Sequence, residues 1–356
     1  MKILPLLPLA HLAAESSAQG LHDLAVKQGK LFFGTATDTN LFKDEAYMAV
    51  LNRTGEFSLV VPENSQKWDA TEKTQNQFTF KNPDAVAALA KSNNQMMRCH
   101  ALTWHSQLPS FVSQGTFTPE TLTPVIEAHI SNTVSHFAGA CYSWDVVNEA
   151  LADDGTLRPS VFSKTLQRDF IPVSFRAAAA ADPGAKLYYN DFSLEFNSKK
   201  TDAAVNIVSD LKAAGVRIDG VGFQGHFEVG KTPSAAALAR VFARFTDLGL
   251  EVALTELDVR HKSLPAGDAA VQQQARDYAG AVKACVDTAK CVGVVVWEFT
   301  DKYSWIPQTF KGQGDACLFD KDMKPKPAYD AVKAVLGGGA AANATATRRV
   351  RRRRGD

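Results

Sequence analysis

The sequence predicts an α/β protein, a single (β/α)8 barrel of the TIM type, and three observations predict it. Eight short apolar runs alternate with longer amphipathic stretches. Nearly every apolar run ends in amide, carboxylate, imidazole or indole side chains, as the active ends of barrel strands do. No Pro-, Gly- or Ser-rich linker divides the 356 residues near their middle. Two doubly wound domains would need such a linker, whereas α/β barrels fill this length as one domain.

In chain order the apolar runs are 31–35, 57–61, 96–104, 142–147, 186–189, 220–225, 252–257 and 292–297. They are rich in β-branched and aromatic residues, the composition of buried strands. The helical stretches are 44–51, 84–92, 119–138, 160–181, 198–214, 234–248, 269–288 and 327–336. Pro233 marks one helix start and Ala214-Gly215 one helix end.

The two ends differ in texture. Residues 1–18 carry one cation, Lys2, then a short apolar run interrupted by Pro5 and Pro8, then Ser16-Ser17-Ala18. That is the layout of a secretory signal peptide, so the chain is expected to be secreted and extracellular. Residues 19–336 make up the expected catalytic barrel. Residues 337–356 are rich in Gly, Ala and Thr and then in Arg, and read as a solvated disordered tail rather than a polybasic anchor. Six of the 39 basic residues lie between Arg348 and Arg354, so without the tail the formal charge of +1 becomes mildly negative. A mildly acidic body argues against nucleic acid as a partner. No run after the signal reaches the ~18 apolar residues that span a bilayer, which argues against a membrane partner.

Five cysteines suit an oxidising compartment. Cys285 and Cys291 close a short loop before the last apolar run, and a bridge there is worth roughly 2 kcal/mol in chain entropy. Cys99 and Cys141 lie in or beside apolar strands and are expected to be buried free thiols, with Cys317 the odd one. Asn52-Arg53-Thr54 and Asn343-Ala344-Thr345 are glycosylation sequons, usable where exposed.

The chemistry sits at the strand ends. Strand two leads into Glu63, Asn64 and Lys67; strand three carries His100, Trp104, His105 and Gln107; strand four ends in Asn148-Glu149 and strand five in Asn190-Asp191. Gln224 and His226 follow strand six, Glu256 and Asp258 lie in strand seven, and Trp297, Glu298 and Trp305 follow strand eight. Two carboxyls on different strands suit glycoside hydrolysis, amides and a lysine suit hydroxyl-rich ligands, and indoles offer flat faces to sugar rings. His226 can reach the strand-seven carboxylate with Asp258 fixing its ring. A metal site built on His100 and His105 is disfavoured, because neither an HxH nor an HExxH spacing occurs. The expected partner is a polysaccharide, with no cofactor.

The segments RCHALTWHSQLPSF, WDVVNEAL, YYNDFSLE, GFQGHF, LTELDVR and VWEFTDKYSWIP occur in this order. Together they resemble the glycoside hydrolase family 10 endo-β-1,4-xylanases, above all the secreted fungal ones, and the likeness runs from about Leu31 to Leu336. The resemblance implies a monomeric retaining enzyme acting on xylan, with Glu149 as acid/base and Glu256 as nucleophile. It implies Asn148 as donor to the sugar 2-hydroxyl, and His226 and Asp258 as supports of the nucleophile. Glu63, Asn64, Lys67, His100, Trp104, Gln107, Gln224, Trp297 and Trp305 match positions that line the glycone subsites, and Cys285–Cys291 matches the family's common disulfide. Phe192 and Phe111 stand where the family commonly has Tyr and Trp, so preferences on the leaving-group side are where this chain departs. Activity chiefly on β-1,4-glucan or aryl cellobiosides, and a catalytically dead carbohydrate-binding barrel, are the competing readings.

Overall fold

A computed structural model describes residues 19–339. The expected signal segment, Asn343 and the arginine-rich part of the tail lie outside the described residues. Eight parallel strands pair in sequence order: β1 (Phe32–Thr37), β2 (Leu59–Pro62), β3 (Met96–Cys99), β4 (Ser143–Asn148), β5 (Lys186–Asp191), β6 (Gly220–Phe223), β7 (Glu251–Arg260) and β8 (Cys291–Val296). β8 pairs with both β7 and β1, which closes the barrel. Register pairs such as Phe32 with Gly293 and Tyr188 with Gly220 bring large rings opposite glycines. The larger helices follow as α1 (Glu45–Leu51), α2 (Lys81–Ser92), α3 (Pro119–His136), α4 (Phe170–Ala181), α5 (Lys199–Ala213), α6 (Ala235–Thr246), α7 (Asp268–Asp287) and α8 (Pro327–Leu336).

Three expected elements are cut differently. The run 96–104 is interrupted: β3 stops at Cys99, and Thr103–Trp104 then rejoins the sheet against β4. The run 220–225 likewise ends at Phe223, and His226–Glu228 pairs instead with the upper half of β7. The helical stretch 160–181 is two helices, Val161–Leu166 and α4, separated by Gln167 with φ +51°. Pro172 supplies the reason, since it lacks an N–H and its ring crowds the carbonyl four residues back, so it is tolerated only near a fresh helix start.

The strands are buried on both faces, and the apolar residues divide accordingly. Phe32, Ala36, Leu59, Val61, Tyr188, Ala253 and Val295 pack inside the barrel beneath Trp297. The outward residues, Phe33, Val60 and Trp144 among them, pack against the helices as a second, larger cluster. The N-terminal mouth is closed by polar pairing: the Tyr142 and Tyr188 hydroxyls donate to Glu251 Oε1 at 2.8 and 2.6 Å. Burial and the Glu251 charge push the Tyr142 hydroxyl well above its ordinary range. The short helix Leu21–Lys27 covers the outside of the barrel, and Gln28 at its end donates to the Leu336 carbonyl at 2.9 Å.

Cys285 and Cys291 are bonded as expected, with Cα atoms 5.2 Å apart. The expectation for Cys99 and Cys141 is corrected: they form a second disulfide, with Cα atoms 5.8 Å apart. Cys99 ends β3 opposite Trp144, and Cys141 lies just before β4, off that register, so the bond joins the end of one strand to the segment that enters its neighbour. That proximity is tertiary, and the spacing of two cysteines does not reveal it. Cys317 is a buried free thiol. Asn52 is exposed and accepts from Asn93 Nδ2 at 2.8 Å, so the first sequon meets its condition.

The two bridges close loops of very different length, with sequence separations of 42 and 6. On the chain-entropy account, losing Cys99–Cys141 costs about 4 kcal/mol against about 2 for Cys285–Cys291. Thermal unfolding of the Cys99→Ala/Cys141→Ala and Cys285→Ala/Cys291→Ala proteins is therefore expected to show the larger loss in the first; the reverse order would contradict this ranking.

Candidate active site

β4 ends at Asn148, and the next residue, Glu149, turns into the left-handed region with φ +55°, which carries its carboxyl to the C-terminal mouth. Glu256 lies within β7. β5 and β6 stand between the two, and each contributes an amide that spans the gap. Asn190 Nδ2, on β5, donates to Glu256 Oε1 at 2.8 Å and to Asn148 Oδ1 at 2.9 Å. Gln224 Nε2, just past β6, donates to Asn148 Oδ1 at 3.2 Å and to Glu149 Oε1 at 3.1 Å. Only glycine at position 222 leaves room for this bridge, because a Cβ there would sit 2.1 Å from Asn190 Oδ1. A reversed Asn148 amide would gain a bond from Trp104 Nε1 at 3.2 Å, but it would set two NH2 groups 2.9 Å apart. Glu256 and Thr255 fix Asn190 as the donor, so Asn148 presents its oxygen to Asn190 and turns its NH2 toward Glu149.

His226 occupies the space between two acids. Its Nδ1 is 2.9 Å from Asp258 Oδ2 and its Nε2 is 3.1 Å from Glu256 Oε2. Burial alone would lower the imidazole pKa, but the charge of Asp258, its hydrogen bond and those of Glu256 push it up to about 10. The ring is then an imidazolium that donates from both nitrogens. Trp305 Nε1 donates to the same Asp258 oxygen at 2.8 Å, which fixes the carboxylate from a second side.

On the opposite wall Lys67 Nζ donates to Asn64 Oδ1 at 2.9 Å and to Gln107 Oε1 at 2.8 Å, and stands 4.8 Å from the Trp104 ring. Burial lowers its pKa against the attraction of Glu63, Glu256 and Glu149. Burial also pushes the Glu63 carboxyl up to about 7, with Lys67 opposing. His100 Nδ1 donates to Asp145 Oδ2 at 3.0 Å. Burial would raise the Asp145 carboxyl, but Arg98 and His100 hold it below the usual range. Trp297 meets His100 edge to face at 5.2 Å.

These groups surround one cleft of about 670 Å³. Of the residues that the resemblance implies at the site, all line the cleft except Asp258, which lies fully buried behind His226; of the other polar strand ends, His105, Asn190 and Asp191 do not line it. Glu298, a polar strand end by sequence, is turned away: the Tyr47 hydroxyl donates to it at 3.2 Å, and burial pushes its carboxyl well up. Sequence reasoning underrates Asn190, whose bridge depends on the space at Gly222. It misses Arg260 and Phe310, which line the cleft with the guanidinium 4.4 Å from the ring centroid. It also misses Glu195, which accepts from the Gly225 N–H at 2.7 Å. Phe310 follows a single helical turn and Glu195 sits in a 3-10 turn, Leu194–Phe196, both too short to leave a periodic signal. Among the described residues no group of three or more His, Cys, Asp or Glu is arranged to hold a metal ion.

The chain is similar to known proteins in sequence and in fold. Residues 20–335 match the sequence family described as glycosyl hydrolase family 10. The chain is 61% identical to endo-1,4-beta-xylanase 5 of Pyricularia oryzae over 326 residues, covering 92% of this chain and 80% of that one. It is 50% identical to endo-1,4-beta-xylanase 1 of Humicola insolens, covering 94% and 79%. Among solved structures it is similar to Penicillium canescens endo-1,4-beta-xylanase XylE, with a TM-score of 0.88 at 42% identity and coverage of 91% and 99%. A family 10 xylanase from a Bispora species, solved with xylobiose, aligns with a TM-score of 0.86 at 42% identity, covering 88% and 99%.

The His226 pKa lies above its unfolded value of about 6.5, so the stability it contributes is complete below that pH and fades as pH rises toward about 10. Imidazole NMR signals of His226 are expected to show no deprotonation through neutral pH in the wild type, and deprotonation at lower pH in Asp258→Asn. A wild-type midpoint near 6.5 would refute the imidazolium bridge.

Proposed function

The chain belongs to glycosyl hydrolase family 10, and on that premise we propose that it is an endo-β-1,4-xylanase that cleaves internal bonds of xylan with retention at the anomeric carbon. It is a glycoside hydrolase. The observation that carries the reading is the unlike setting of two like residues: Glu256 faces the His226 imidazolium and an amide donor, whereas Glu149 faces amide donors and His105. Burial lowers the His105 pKa against the attraction of Glu149, 3.8 Å away, so this neighbour brings no full charge at neutral pH.

Glu256, as carboxylate, attacks the anomeric carbon and forms an ester bond to it. The glycosidic C–O bond breaks, its electron pair stays on the departing oxygen, and Glu149 protonates that oxygen. Glu149, now ionised, takes a proton from water, whose oxygen attacks the anomeric carbon; the ester bond breaks and Glu256 is released as carboxylate. His226, held by Asp258, would donate to Glu256 and fix its orientation, and the Asn148 NH2, which faces Glu149, would donate to the sugar 2-hydroxyl. Glu63, Asn64, Lys67, His100 and Gln107 would hold the hydroxyls of the sugars on the glycone side. Trp104, Trp297 and Trp305 would pack on their faces, and Gln224 would orient Glu149.

Export as a monomer after removal of residues 1–18 fits the two disulfides, which form and persist in oxidising compartments. The barrel is taken as 19–336, with 337–356 as a tail. A binding-only barrel has no need of two carboxyls set in opposite surroundings, which disfavours that alternative.

Reducing-sugar release from xylan is expected to fall by about 10²–10⁴-fold in Glu149→Ala and to vanish in Glu256→Ala. NMR of the first product should show the β-anomer before mutarotation. Full activity in Glu256→Ala would remove the nucleophile from this scheme, and turnover of cellulose without xylan would remove the substrate.

A further inference from the structure

The residues after β4 form a tight hairpin that brings a cation back to the proposed proton donor. Leu151 pairs with Leu157, and the Ala152 N–H donates to the Thr156 carbonyl at 2.8 Å. Asp154 closes the turn by accepting from the Thr156 N–H at 2.9 Å. Gly155 completes it with φ +86°, where a Cβ would lie 2.7 Å from the Lys199 carbonyl. The returning strand ends on Arg158, and three consecutive carbonyls accept from that one residue. Its Nε donates to the Glu149 carbonyl at 3.0 Å, its backbone N–H to Ala150 at 2.8 Å, and its Nη2 to Leu151 at 3.0 Å. The Arg158 carbonyl is itself held by Ser163 Oγ at 2.7 Å.

The consequence falls on Glu149. A non-glycine residue at φ +55° is held there by its surroundings rather than by its own preference. The Glu149 N–H donates to the Asn190 carbonyl at 2.9 Å, and its C=O accepts from Arg158, so both peptide planes flanking its Cα are pinned. The Arg158 guanidinium also lies 5.2 Å from the centroid of Phe192, the aromatic wall of the cleft beside Glu149. Asn190 belongs to the barrel and is needed for Glu256, whereas Arg158 belongs to the loop and serves Glu149 alone of the two carboxyls.

We propose that Arg158 is a positioning residue for the proton donor: by clamping the Glu149, Ala150 and Leu151 carbonyls it fixes the left-handed turn that aims the Glu149 carboxyl at the departing oxygen, and it ties that turn to Phe192. This rests on the assignment of Glu149 as the acid. A misaimed acid harms reactions in proportion to how badly the leaving group needs a proton. A sugar hydroxyl needs it, and a dinitrophenolate does not.

The test compares kcat/KM on xylan and on 2,4-dinitrophenyl β-xylobioside for the wild type, Arg158→Met, Arg158→Lys and Glu149→Ala, each first shown to be folded by its thermal transition. Arg158→Met is expected to lose about 10–100-fold on xylan, part of what general acid catalysis supplies. It should stay within about threefold on the aryl substrate, whose glycosidic bond breaks without that help. Arg158→Lys, with one cation but no fork, should recover part of the xylan activity. Equal losses on both substrates, or no loss on either, would overturn the inference while Glu149→Ala still separates them. If Glu149→Ala fails to separate them, it is the assignment of the acid that falls.

Discussion

The imidazolium of His226 stands between two carboxylates, 2.9 Å from Asp258 and 3.1 Å from Glu256, and the charge pattern of the barrel mouth depends on it. Carboxylates crowded in a space poor in water repel one another and tend to protonate. A cation shared between two of them opposes that repulsion. The geometry holds because Asp258 is itself fixed by Trp305, and because Asn190 takes the remaining side of Glu256. Removing His226 would leave two buried acids without their cation, which costs more than the lost bonds alone, whereas removing Trp305 or Asn190 costs one hydrogen bond to a carboxyl.

The same arrangement continues down the barrel. Below the cleft floor, Arg98 pairs with Asp145 and lies 4.4 Å from the Tyr188 ring, while Asp145 also meets His100. Tyr188 in turn donates to Glu251 at the closed end. A polar column thus runs through an interior that is otherwise aliphatic and aromatic, from the closed mouth to the open one. Each member is paired, as a buried polar network must be if it is to specify a single arrangement. Through His100 this column reaches the cleft lining, so the position of a side chain that touches the cleft is set beneath it.

How much of this the sequence discloses follows from the range of each signal. A polar residue closing an apolar run is a local pattern, and it placed Glu149, Glu256, Lys67, His226 and the tryptophans at the mouth. The likeness to family 10 sequences then gave them roles. The Cys99–Cys141 bond is not local: it depends on how the segment entering β4 lies against the end of β3. Asn190 is visible as a strand end, but its bridging position requires the absence of a side chain at Gly222, on another strand. The break at Gln167 was foreshadowed by Pro172 inside an apparently continuous helix. Arg158 and Phe310 leave no periodic trace, because loops position residues through specific hydrogen bonds rather than through repeats.

The two sides of the cleft are made differently, and the difference bears on how a polymer is cut internally. The wall with Asn64, Lys67 and Gln107 is a web of directional hydrogen bonds around one desolvated cation. Such a wall would recognise hydroxyls at fixed positions and tolerate little displacement. The other wall is aromatic with cations behind it. Lys200 lies 3.5 Å from the Phe192 ring centroid and is paired with Asp191 at 2.8 Å, and Arg260 backs Phe310. Lys200 holds the Phe192 ring in place, so Phe192 would offer a leaving sugar a face. A face binds by area rather than by hydroxyl pattern, so it would accept a leaving chain in several registers and release it readily once the bond is broken. Phe192 strengthens that contrast, because a tyrosine there would add a hydroxyl and with it a directional contact. The strict wall would therefore fix which bond meets Glu149 and Glu256, and the permissive wall would let either length of chain depart.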